Sequence, residues 1–184
     1  MFRADDYVKV SDLAEAYELC QKRSSLVVGG MVWMKMTHIT KRTIVDLSGL
    51  GLDAIEEKEG EFSIGCMCSL RQLETHEGLN RYFDGIFREC TRNIVGVQMR
   101  NCATVGGSIF ARFGFSDILT CFLALDTYVE LYHEGTIPLS EYTRGSGDIK
   151  TYAAKALNIT FISGIVFFWP VEVTLAKKLP AVLS

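Results

Sequence analysis

The 184-residue sequence predicts an α+β fold. Three observations point there. Short apolar or alternating runs read as strands, and capped amphipathic segments lie between them. No β–α unit recurs with the regularity that a barrel or a doubly wound sheet needs, and no internal repeat is present. At about 100–200 residues per domain, the length fits one domain or two small lobes. Apolar residues make up 48% and charged residues 22%, which excludes a disordered or collagen-like chain. The net charge of −3 argues against a dedicated nucleic-acid binder.

The elements follow in order. Tyr7 to Val10 is a short strand. Ser11 is placed to cap a helix from about Asp12 to Gln21, with Asp12 and Glu15 at its positive end and Leu13, Ala16, Tyr17 and Cys20 on one apolar face. Leu26-Val27-Val28 is a buried strand running into Gly29-Gly30, and Thr43 to Leu47 is another strand. Ile55–Glu57 and Phe62–Cys66 form a hairpin around a charged turn with a glycine. Ser69-Leu70-Arg71-Gln72 is a capping box heading a short helix. A longer helix covers Asn80 to Arg92, with Tyr82, Phe83, Ile86, Phe87 and Cys90 on one face. Ser116-Asp117 caps a helix from Ile118 to Asp126, and Thr127 to Tyr132 alternates as a strand turned by Glu134-Gly135.

The last part changes character. Residues 148–184 carry a balance of +2 against −5 for the rest, and Ile159 to Val173 is almost continuously apolar until Pro170 breaks it. That run is shorter than the roughly 20 residues needed to cross a bilayer, so no membrane role is expected and a strand from it should pack on the second lobe. Six cysteines without a C-x-x-C pair, behind a polar acidic start, read as buried small hydrophobes in a cytoplasmic protein. His38, His76 and His133 do not complete a metal-ligand cluster with them, so no metal site is expected.

Two glycine pairs stand out: Val27-Val28-Gly29-Gly30-Met31-Val32-Trp33 and Thr104-Val105-Gly106-Gly107-Ser108. Adjacent glycines let backbone N–H groups converge on an anion and let a phosphate approach the chain, and Thr104 and Ser108 add hydroxyls. Two such turns about 75 residues apart are suited to the two phosphates of one pyrophosphate. A Gly-Gly after a strand is also an ordinary turn. Neither pair is G-x-G-x-x-G or a Walker A loop, so neither a Rossmann nor a P-loop site is supported.

The stretch Gln98-Met99-Arg100-Asn101-Cys102-Ala103-Thr104-Val105-Gly106-Gly107-Ser108 resembles the Q-x-R-N-x-A-T-[IV]-G-G-[NS] signature of the FAD-binding domain of molybdopterin dehydrogenases, the flavin subunit of xanthine dehydrogenase and carbon monoxide dehydrogenase relatives. Phe115-Ser116-Asp117-Ile118-Leu119, Leu123-Ala124-Leu125-Asp126, Ile44-Val45-Asp46-Leu47-Ser48 and Phe62-Ser63-Ile64-Gly65 are similar to further family elements in the same order, over about residues 1–147. The resemblance implies a two-lobed PCMH-type FAD-binding fold: a small N-terminal α/β lobe at about 1–50, then a larger lobe at about 52–147 with an antiparallel sheet and flanking helices. It implies that FAD is held by Val28, Gly29, Gly30, Met31, Val32, Trp33, Thr104, Gly106, Gly107 and Ser108, with Phe110 near the ring and Asp117 accepting from cofactor hydroxyls. Asp117 also fits as a helix cap, and Phe110 and Trp33 as core aromatics.

This chain departs from the family pattern in three places. Met31 and Val32 replace a polar pair, Leu119-Thr120 lacks the usual proline, and residues 148–184 read as a divergent or truncated tail that leaves the C-terminal part of the fold incomplete. No side chain is assigned as acid, base or nucleophile, because flavin carries the redox chemistry. The implied function is electron transfer from iron–sulfur clusters through FAD to NAD or another acceptor. The implied partners are a molybdenum-cofactor subunit and a 2Fe-2S ferredoxin-like subunit. Two alternatives stand beside it: a non-catalytic remnant of the family with a structural role or none, and a flavin reductase of the same superfamily.

Overall fold

The computed structural model describes residues 1–58, 61–144 and 171–175. Two sheets organise them. The first is parallel, with β1 (Arg3–Lys9), β3 (Thr40–Asp46) and β2 (Ser25–Val28) in the order β1-β3-β2. Helix α1 (Leu13–Cys20) links β1 to β2, and a 3-10 turn at Met34–Met36 lies between β2 and β3. The second sheet is antiparallel, with β4 (Ile55–Lys58), β5 (Glu61–Ile64), β8 (Val171–Leu175), β6 (Thr127–Leu131) and β7 (Gly135–Pro138) in that order. Between β5 and β6 the chain forms six short helices: α2 (Leu70–Thr75), α3 (Glu77–Tyr82), α4 (Ile86–Thr91), α5 (Val97–Cys102), α6 (Val105–Phe110) and α7 (Asp117–Leu123). Helix α8 (Leu139–Arg144) follows β7 directly.

The α+β class and the capping box at Ser69 hold. Ser69 Oγ accepts from the Gln72 amide at 3.2 Å, and the Gln72 side chain accepts from the Ser69 amide at 2.7 Å. Other boundaries move. The first helix is capped by Asp12 rather than Ser11, because the Asp12 carboxylate reaches the Glu15 amide at 2.8 Å while Glu15 turns back to the Ser11 amide. The single helix expected from Asn80 to Arg92 is two helices. The chain breaks where Asp84 and Gly85 take left-handed conformations, φ 53° and 77°. Buried Asn80 holds the corner: its Nδ2 donates to the carbonyls of Leu73, Glu74 and His76, and its Oδ1 accepts from the Arg88 amide.

One core runs through the second sheet and its helices. Phe62 of β5, Phe83, Phe87 of α4 and Phe122 of α7 form a chain of rings with centroids 5.3–5.8 Å apart. Cys66, Cys68 and Cys121 are buried as expected, but Cys102 is exposed. The tail does supply a strand to the second sheet, but it is Val171–Leu175, seated between β5 and β6. The aromatic run at 161–169 lies outside the described residues. No helix among the described residues is long and apolar enough to cross a membrane.

Candidate functional site

The two glycine-containing segments both line one cavity of about 570 Å³. The second segment is fastened from behind. Residues 103–106 zip onto 66–70: Leu70 N–H donates to Ala103 O, Val105 N–H to Cys68 O, and Gly106 N–H to Cys66 O, at 2.8–2.9 Å. Thr104 then caps α6, its Oγ1 accepting from the Gly107 amide at 3.2 Å. The Val105-Gly106-Gly107-Ser108 stretch, an open turn by sequence, is therefore the first part of a short helix.

The first segment leaves β2 and packs backbone-to-backbone on the second. A Cβ at Gly30 would fall inside the Cys102 carbonyl, and one at Gly29 would sit 2.7 Å from Thr104 Oγ1. Both glycines are thus required by the neighbouring loop. Beyond them, Met31 is left-handed at φ 55°. None of the amides of residues 29–33 has an acceptor among the described residues. All five residues line the cavity, and unpartnered amides there are donors suited to an anion.

Eleven of the twelve expected site residues line this cavity: Val28, Gly29, Gly30, Met31, Val32, Trp33, Thr104, Gly107, Ser108, Phe110 and Asp117. The exception is Gly106, which is buried with its amide bound to Cys66 O and belongs to the fastening rather than the lining. Ser116, not Asp117, caps α7, accepting from the Leu119 amide at 3.2 Å. Asp117 is exposed at the cavity and accepts no hydrogen bond among the described residues, so its carboxylate is available to hydroxyl donors. Trp33 is 55% exposed, which removes it from the core, whereas Phe110 is half-buried and packs against the core as well as lining the cavity.

The lining includes neither Lys nor Arg among the described residues, and Asp117 is its one charge. Among the described residues, the groups that can meet an anion here are amides and hydroxyls. No cysteine is among the lining residues, and burial pushes Cys68 up to about 11 and Cys20 up to about 12, leaving both protonated at neutral pH. Among the described residues no three His, Cys, Asp or Glu side chains gather to hold a metal ion.

Sequence reasoning missed a third wall, Asn93-Ile94-Val95, and two aromatics, Phe113 and Phe115. The wall is held by an ion pair outside the cavity. Buried Arg100 donates from Nε and Nη2 to the two Glu74 oxygens at 2.7 and 3.3 Å, and from Nη1 to the Ile94 carbonyl at 3.0 Å. Arg71 reaches Glu74 from the surface at 2.9 Å. Burial raises the Glu74 carboxyl, but the two guanidiniums outweigh it and hold the group below the usual carboxylate range. Val95 beside it is left-handed at φ 46°.

Residues 1–159 match the family described as the FAD binding domain in molybdopterin dehydrogenase. The chain belongs to that family. FAD is the cofactor that this domain binds. The chain is 26% identical over 141 residues to the uncharacterized protein YgfM of Escherichia coli K12, covering 77% of this chain and 52% of that one. It is 31% identical over 116 residues to the aldehyde oxidoreductase FAD-binding subunit PaoB of the same organism, covering 60% of this chain and 36% of that one. It spans about half or less of the length of these relatives. Carbon monoxide dehydrogenase from Hydrogenophaga pseudoflava has the same fold, with a TM-score of 0.72 at 18% identity over 95% of this chain and 59% of that one. So does quinoline 2-oxidoreductase from Pseudomonas putida 86, with a TM-score of 0.69 at 16% identity over 98% of this chain and 59% of that one.

Proposed function

We propose that this chain is the FAD-binding electron-transfer subunit of a molybdenum hydroxylase of the xanthine dehydrogenase type. The observation that carries the reading is the unpartnered amides of residues 29–33, which share the lining of one cavity with Thr104, Gly107 and Ser108. A pyrophosphate suits those amides, since neutral donors meet the anion without a lysine or arginine. Asp117 then accepts from cofactor hydroxyls, and Phe110 packs beside the flat end. FAD, when bound, supplies hydride and single-electron chemistry. The chain binds, orients and shields it, and contributes no acid, base or nucleophile. The FAD-binding unit comprises residues 1–147, with lobes at about 1–50 and 52–147, and the second lobe's sheet is completed by β8 from the tail at 148–184.

Electrons enter from a 2Fe-2S ferredoxin-like subunit, supplied in turn by a molybdenum-cofactor subunit, and leave to NAD or another acceptor. That PaoB is the FAD-binding subunit of an aldehyde oxidoreductase supports this division of labour. Free thiols favour the reducing cytoplasm.

Flavin titration of the purified full chain tests the reading. The parent should retain FAD, and Gly107→Val, which projects two methyls from α6 into the cavity, should abolish retention while the far-UV spectrum is unchanged. Equal retention by the variant sinks the site. Anaerobic bleaching of the bound flavin by NADH supports NAD as the acceptor; an unbleached flavin excludes it.

A further inference from the structure

We propose that Trp33, Phe113 and Phe115 form a stacking subsite at the cavity mouth that takes the isoalloxazine ring of FAD. The inference rests on the FAD reading above and adds residues to it. Phe113 and Phe115 are stacked, with centroids 5.0 Å apart and planes 9° from parallel, and Trp33 stands edge-on to Phe113 at 6.1 Å. All three line the cavity, yet they are 37%, 70% and 55% exposed in the order Phe113, Phe115, Trp33. Large aromatic faces left in water beside a cavity are a binding feature more than a packing one.

The loop that presents them is built to do so. Arg112 takes a left-handed conformation at φ 49°, which reverses the chain at the end of α6. Its guanidinium lies over the ring of buried Tyr142 at 4.1 Å, a cation–π contact that anchors the turn from inside. Residues 113–115 are thereby held outward while their base is fixed. A left-handed non-glycine residue is maintained only where the surroundings impose it, and such positions gather at functional sites.

Position decides which ring is taken. Trp33 ends the run of free amides, so a ligand with its phosphates on residues 29–33 reaches the aromatic group next. FAD has two flat ends. The redox ring must remain reachable by a donor and an acceptor, and the mouth is the reachable end.

The test compares FAD and ADP binding to the full chain for the parent, Phe113→Ala/Phe115→Ala and Phe113→Tyr/Phe115→Tyr, with the thermal melt of each recorded. We expect the alanine pair to weaken FAD by about tenfold or more, the scale of one lost stacking contact, and to leave ADP within about twofold. The tyrosine pair should restore FAD and keep the bound flavin's visible spectrum. Parallel loss of ADP overturns the assignment in favour of adenine. Unchanged FAD with loss of binding to the iron–sulfur or molybdenum subunit overturns it in favour of a docking surface. A parent that binds ADP but not FAD removes the FAD reading itself, a different failure from a parent that binds FAD with no help from the aromatics.

Discussion

Arg100 never reaches the cavity, yet one wall of the site hangs on it. Its fork engages both Glu74 oxygens and the Ile94 carbonyl, which fixes the chain just before Val95. A β-branched residue at φ 46° carries backbone strain of about 1–3 kcal/mol, and the buried pair is what the wall leans on. Arg100→Met strips a buried carboxylate of its main partner, a change that costs about 3–5 kcal/mol. Arg71 remains beside Glu74 but is itself partly exposed, so the loss should fall near the lower end of that range. The pH dependence has a definite sign. In the parent, Glu74 is held low, so its contribution is full above the usual carboxylate range and fades as pH falls through the lowered value. In the variant the lowering by Arg100 is lost and burial is opposed by Arg71 alone, so the group lies higher than in the parent. The penalty is then largest at neutral pH and shrinks as the carboxyl takes up a proton. Urea unfolding at pH 7 and pH 4.5 checks this: the gap between parent and variant should narrow in acid, and a gap that widens contradicts it.

Strand β8 is the element on which the larger sheet turns. It pairs with β5 on one side and β6 on the other, so without it the sheet falls into the two hairpins β4-β5 and β6-β7. Isolated hairpins are marginal in water, and each would present a new open edge. Deleting residues 171–184 should abolish a cooperative thermal transition and send the chain into aggregates; an unchanged melting temperature would show that β8 is dispensable. The sequence made much of this architecture legible. The Ser69–Gln72 box, the hairpin at Ile55–Ile64 and the alternation of Thr127–Leu131 are local patterns with local causes. β8 was harder to read because Val171–Leu175 is short and carries Glu172, while the more apolar run before Pro170 draws the eye. Helix α6 was hidden for another reason. Two glycines lower helix propensity, and only the zip onto residues 66–70 with the Thr104 cap overrides it. For the site, eleven residues followed from a family signature, while Phe113, Phe115 and the Arg100 support depend on tertiary contacts that no spacing encodes.

At the scale of the molecule, the cavity draws its walls from the end of the parallel sheet and from the helices that precede β6. A ligand seated there ties the two parts together and binds only the folded chain. Linkage gives about 2.7 kcal/mol at a hundredfold excess over Kd, and for a domain of this size that raises Tm by about 5–10 °C. A melt with and without excess FAD checks it, and no rise at saturating flavin would count against the site. The relatives show how freely this molecule has changed its letters, at 26% identity to one and 31% to another. On the proposed reading, the unpartnered amides of residues 29–33 let a phosphate grip survive such drift. Its donors are main-chain hydrogens, present whatever side chain each position bears, provided the backbone keeps its shape. Met31 and Val32 can stand where polar residues would be expected without removing a single donor. Of all replacements, only proline deletes one outright. On the proposed reading the phosphate depends on the curve of the chain: replacements at Val32 and Trp33 that keep the backbone leave every donor in place, whereas Gly29 and Gly30 are fixed by the chain packed behind them.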